Sequence, residues 1–173
     1  MKRLLVVLIF LFVFFASFTQ SVKWYTITEA LELNKKEPRK IVVDVYTDWC
    51  GWCKVMEKNT YNNEIIAEYL NKKFYIVKLD AEQKEDVKIG DKTYKFVPQG
   101  RRGYHELAAI LLQGNMVYPS VVFLDEKVRI LQSFQGYIRA KQFDQIIKFI
   151  GENQYITKSW DEFIASYESQ ITE

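Results

Sequence analysis

The chain has 173 residues, with 24 Lys and Arg against 22 Asp and Glu, a net charge of +2 and 49% apolar residues. That length and apolar content suit one domain with a real core, and 27% charged residues exclude a disordered tail or a polytopic membrane protein. Setting aside Lys2 and Arg3 leaves 22 positive against 22 negative charges, which argues against nucleic acid as a main partner because phosphate binding rests on a basic excess. Two cysteines and one histidine cannot furnish a four-ligand Cys/His zinc site.

Lys2 and Arg3 precede an apolar run over residues 4–15, and Ala16 to Ser21 are mostly small or polar. This order is that of a secretory signal, so residues 1–20 are assigned to a cleaved signal peptide and residues 21–173 to one domain. The alternative is an uncleaved anchor, but about 15 apolar residues fall short of the roughly 20 that span a bilayer. Export to the periplasm would permit disulfides.

Thr28 is placed to cap a short first helix that Pro38 closes. The β-branched run at 41–46 predicts a strand buried on both faces. Helices follow from about Gly51 and from Asn62 or Asn63, and residues 74–80 give the next strand, which implies a parallel crossover. Gly90-Asp91 centres a hairpin over 87–96. Residues 101–113 read as a helix with Leu107, Ile110 and Leu111 on one stripe. Residues 121–124 and 128–135 form a hairpin around Asp125-Glu126, and helices close the chain at 140–150 and 159–169. The last carries Trp160, Phe163, Ile164 and Tyr167 as a packing stripe. The predicted class is α/β: a mixed central sheet with helices on both faces, an inserted hairpin and an extra C-terminal helix.

Cys50-Gly51-Trp52-Cys53 falls where the buried strand gives way to a helix. A thiolate there meets unpaired backbone N–H groups and the positive end of the helix dipole, which lowers its pKa. Cys50 is expected at the exposed helix tip and Cys53 one turn inside. Cys50 would attack a disulfide and Cys53 would resolve the mixed disulfide. Three other readings compete. A structural disulfide closing so small a loop stabilises weakly. Half a zinc site needs a second chain, and haem attachment needs His where Lys54 stands.

Trp49-Cys50-Gly51-Trp52-Cys53-Lys54 after a buried strand resembles the thioredoxin superfamily. Asp44, six residues before Cys50, matches that family's buried Asp; Lys78 matches the Lys beside it, and Pro119 matches its cis-proline. The chain is also similar to secreted thioredoxin-like proteins of Bacteroidetes-type bacteria and to the C-terminal domain of the transmembrane thiol:disulfide interchange reductase. The resemblance implies a thioredoxin fold over about 41–150 and a redox-active disulfide between Cys50 and Cys53. Departures are Gly-Trp in place of Gly-Pro between the cysteines, Tyr46 where Trp is frequent, a longer stretch over 81–117, and the last helix.

Asp44 interrupts an apolar strand, where a carboxylate is costly unless paired or protonated. It is expected to take the proton of Cys53; the alternative is a structural ion pair with Lys78. Lys78 and Trp49 are supporting residues, and Gly51, Trp52, Tyr118 and Pro119 are assigned to substrate contact. Of Trp49 and Trp52, one is expected packed and the other exposed. His105 is expected as a solvated helical side chain, the alternative being that it tunes the thiols; Arg101 and Arg102 are expected in an exposed basic loop. The functional expectation is an exported thiol–disulfide oxidoreductase that reduces protein disulfides with electrons from a membrane donor. No organic cofactor or metal is implied. The alternatives are an oxidase or isomerase of the same fold, or a non-catalytic binding module.

Overall fold

The computed structural model describes residues 21–172, so the signal assigned to residues 1–20 lies outside the described residues. A two-residue strand, β1 (Trp24–Tyr25), precedes α1 (Ile27–Lys36). Thr26, not Thr28, caps α1. Its hydroxyl accepts from the Glu29 N–H at 3.2 Å, and the Glu29 carboxylate accepts from the Thr26 N–H at 2.8 Å. This reciprocal pair satisfies two otherwise orphaned groups and sets the helix start.

β2 (Lys40–Tyr46) is the strand expected at 41–46, and its first six residues are buried. α2 (Gly51–Met56) begins within the cysteine motif and widens into a π-helical turn over Glu57–Tyr61. Asn63 then caps α3 (Glu64–Lys73), accepting from the N–H groups of Ile65 and Ile66. β3 (Phe74–Asp80) runs parallel to β2, as the crossover requires.

β4 (Val87–Ile89) and β5 (Lys92–Tyr94) form the expected hairpin, with Gly90 at φ +60°, a conformation that favours glycine. The next segment corrects the sequence reading. In place of a helix over 101–113 stand a second hairpin, β6 (Phe96–Gln99) with β7 (Arg102–His105), and the short α4 (Glu106–Leu111). Two local features forbid the longer helix. Gly103 packs so tightly that any Cβ would strike the Phe96 ring and the Val97 carbonyl oxygen. The His105 ring caps α4 by accepting from the Leu107 N–H at 3.3 Å, so the helix starts only after it.

β8 (Ser120–Leu124) and β9 (Ile130–Gln135) pair antiparallel, and α5 (Ala140–Gly151) and α6 (Trp160–Ser166) complete the chain. α6 is shorter than the expected 159–169, and of its apolar stripe Phe163 is buried while Ile164 is exposed. The five-stranded sheet has the order β1-β3-β2-β8-β9, with β1, β3 and β2 parallel and β8 and β9 joining antiparallel.

Strand alternation divides the core in two. Val42, Ile76, Val121 and Phe123 pack against Ile66 and Leu70 of α3 and Phe143 and Ile147 of α5. Ile41, Val43, Val77 and Val122 face Ile27 and Ala30 of α1 and Leu107 and Ala108 of α4. The sheet is thus mixed with helices on both faces, and Asp44 shares the face of Val42.

Candidate active site at the Cys50–Cys53 disulfide

Cys50 and Cys53 are joined in a disulfide, their Cα atoms 5.3 Å apart. Cys50 is the N-cap of α2: its Sγ accepts from the Cys53 N–H at 3.1 Å, and its own N–H donates to the Thr47 carbonyl at 3.0 Å. Attaching the motif directly to buried β2 holds the sulfur at the helix tip. The tip is more sheltered than the sequence indicates, because Cys50 is only 5% exposed and Cys53 7%.

Both tryptophans stand out from the surface, Trp49 at 52% and Trp52 at 63% exposed, so the expectation of one packed and one exposed indole is corrected. Trp49 meets Tyr118 edge-to-face with centroids 6.0 Å apart, and the Arg102 guanidinium lies 4.3 Å over its ring. Trp52 rests against Tyr137 at 5.5 Å. The Tyr118–Pro119 peptide is cis, as the resemblance implied. Trp52, Tyr118, Pro119, Gly136 and Tyr137 line a shallow cavity of about 220 Å³. Among the described residues the Tyr118 backbone N–H and carbonyl have no hydrogen-bond partner. Gly51 is exposed, with open space around its Cα.

Behind the disulfide, Asp44, Thr47, Cys53, Glu57 and Lys78 are among the residues lining a cavity of about 250 Å³. Asp44 is 3% exposed, and burial pushes its carboxyl up to about 7 against the opposing pull of the Lys78 charge and the Tyr61 hydrogen bond. The Tyr61 hydroxyl donates to Asp44 Oδ1 at 3.3 Å. Lys78 does not form the ion pair with Asp44 that sequence offered as an alternative. It pairs with Glu57, while its ammonium lies 5.0 Å over the Tyr46 ring and 5.2 Å over Trp24. The Thr47 hydroxyl is buried in the same wall with no protein partner.

Glu57 and Tyr61 are site residues that sequence reasoning missed. Glu57 was within reach, since it follows Cys53 by four residues and so shares its helix face. Tyr61 was not, because the π-helical turn changes the phase beyond Met56.

His105 is fully buried rather than solvated. Its ring partners are the Leu107 N–H and the Glu85 carbonyl at 3.2 Å, so it serves as a structural cap. Arg101 and Arg102 are both exposed, as expected, and the Arg102 guanidinium also lies over the Trp49 ring. A cavity of about 400 Å³ lined by β9, α5 and Trp160 of α6 contains none of the site residues, so size does not mark the site.

The architecture matches known thioredoxin-fold structures. A DsbH oxidoreductase superposes with a TM-score of 0.55 at 18% identity, over 76% of this chain and 85% of that one. A thioredoxin from Thermus thermophilus superposes with a TM-score of 0.57 at 20% identity, over 75% of this chain and 87% of its own. At these identities the likeness establishes the fold alone. In sequence, 74 residues are 39% identical to spermatogenesis-associated protein 20 of Mus musculus, 42% of this chain and 9% of that protein. The chain therefore spans less than a tenth of that relative's length. Residues 13–172 match the family Thioredox_DsbH, described as a protein of unknown function, DUF255, and the chain belongs to this thioredoxin-fold family.

Proposed function

We propose that the protein is an exported thiol–disulfide oxidoreductase that reduces protein disulfides. The carrying observation is a disulfide at the tip of α2 with the Cys53 N–H directed at Cys50 Sγ. In the reduced protein the same N–H and the helix dipole favour a Cys50 thiolate. That thiolate attacks one sulfur of a substrate disulfide and expels the other as a thiolate, leaving a mixed disulfide through Cys50. Cys53 gives its proton to Asp44, attacks Cys50 Sγ and releases the second substrate sulfur as a thiolate. Two electrons pass to the substrate, and the protein is left with the Cys50–Cys53 disulfide.

An acceptor near neutrality suits this proton transfer, because Asp44 at about 7 is divided between its two forms at the working pH. Trp49, Trp52, Tyr118 and Pro119 form the docking surface, with the free Tyr118 backbone available to pair with an extended substrate segment. Lys78 supports the site through its charge beside Asp44. The natural substrates are protein disulfides. Reduction in the periplasm requires an electron donor of the membrane to restore the dithiol.

The test is Cys53→Ala in the expressed protein. Mixed disulfides trapped through Cys50 are expected; their absence would overturn the mechanism. The direction is tested by the reduction potential of the pair against glutathione. A value near about −270 mV supports a reductase, and one near about −120 mV makes the protein an oxidant.

A further inference from the structure

Asp44 has one protein hydrogen-bond donor among the described residues, the Tyr61 hydroxyl. Tyr61 ends the π-helical turn that continues the cysteine helix and is fully buried. Its ring is held edge-to-face by Trp24 at 5.0 Å and by Phe143 at 5.2 Å. Gripped from two sides, the ring has little freedom, so core packing sets where its hydroxyl lies. The second carboxyl oxygen of Asp44 makes no protein hydrogen bond, and the carboxyl lines the cavity that Cys53 also lines.

We propose that Tyr61 is a positioning residue for the resolving half of the exchange, its hydroxyl fixing one oxygen of Asp44 while the other serves Cys53. This inference rests on the oxidoreductase reading above. Lys78 from β3 and Glu57 from the π-helical turn act on Asp44 through their charges, and Cys53 and Lys54 of α2 line its cavity. Tyr46 and Asp48 line the same cavity, and β8 opposes Asp44 with Val121, which does not titrate. Lys78 favours the carboxylate and Glu57 disfavours it. Tyr61 adds a third influence: a neutral donor that favours the carboxylate without changing the charge of the site.

Tyr61→Phe keeps the ring and removes the donor. In the full chain, reaction of the reduced protein with an aryl disulfide such as dithiobis-nitrobenzoate releases aryl thiolate twice, first on attack by Cys50 and then on resolution by Cys53. The first phase is expected to stay within about twofold of wild type. The pH midpoint of the second phase is expected to rise by about one unit, close to tenfold in proton affinity. A carbon-13 carboxyl titration of Asp44 in the oxidised protein should move in the same direction. In an Asp44→Asn background, adding Tyr61→Phe should change neither phase further.

An unmoved midpoint and titration would overturn the proposal, as would equal slowing in the Asp44→Asn background. A wild-type protein with no second phase would overturn the oxidoreductase reading and with it the kinetic role. The carboxyl titration still reports the Tyr61–Asp44 coupling by itself, so the two failures are distinguishable.

Discussion

Asp44 and Lys78 face one another in the parallel register of β2 and β3, yet the lysine gives its ion pair to Glu57. The carboxyl therefore feels the ammonium as a nearby field and not as a bonded partner, and burial outweighs it. Three charges are consequently coupled across one cavity. Lys78→Met should raise the proton affinity of Asp44 by removing the attraction. Glu57→Gln should lower it by removing a like charge and releasing Lys78. Carboxyl NMR titration of the two variants checks this, and shifts in the same direction would contradict the arrangement.

The raised Asp44 pKa also predicts a pH-dependent stability. Folding favours the protonated carboxyl, so the native state binds more protons than the unfolded chain between the ordinary value of 3.8 and about 7. Stability contributed by this group is full below that window and falls as pH rises through it. Asp44→Asn escapes the loss. It should be more stable than wild type by up to about 4 kcal/mol at pH 8, with the advantage vanishing near pH 4. Urea unfolding of the oxidised proteins at both pH values measures this; an advantage independent of pH would show that Asp44 is not the titrating group.

The parts of the fold legible in sequence are those where local pattern and tertiary role agree. The β2 run 41–46 is apolar because both faces are buried, and the helix from Gly51 is announced by the cysteines at its start. The insertion was half legible: Gly90 marked its first hairpin, but Leu107, Ile110 and Leu111 fit helical spacing and masked β6 and β7. Their pairing depends on Gly103 closing against Phe96 and Val97, a contact between residues with no local periodicity to reveal it. At the site, Cys50 and Cys53 stand out by their spacing at a strand-to-helix junction, and Asp44 and Pro119 by the family resemblance. Tyr61 was hidden because a π-helical turn is needed to place it, and the Lys78–Glu57 pairing because register alone points to Asp44.

His105 offers a test of the difference between a buried cap and a catalytic imidazole. His105→Ala removes the acceptor for the Leu107 N–H and the ring's contact with the Glu85 carbonyl. The expected loss is about 1–3 kcal/mol of stability, combining a lost cap with a buried group left unpaired. The alkylation rate of Cys50 in the reduced protein should not change. A large change in that rate would restore His105 to the thiol chemistry.

The aromatic surface makes a prediction that separates docking from chemistry. Trp49 and Trp52 are both more than half exposed, yet each is braced, Trp49 by Tyr118 and Arg102 and Trp52 by Tyr137. Bracing exposed rings prepares them to meet a partner with little further loss of freedom. Trp52→Ala should raise KM for a peptide disulfide while attack on a small neutral disulfide, which needs no such surface, is unchanged. Arg102→Ala should act in the same sense but more weakly, since it removes one exposed cation–π contact of about 0.5–1 kcal/mol and leaves the indole in place. Equal effects on both substrates would mean that Trp52 shapes the reacting sulfur and not the docking surface.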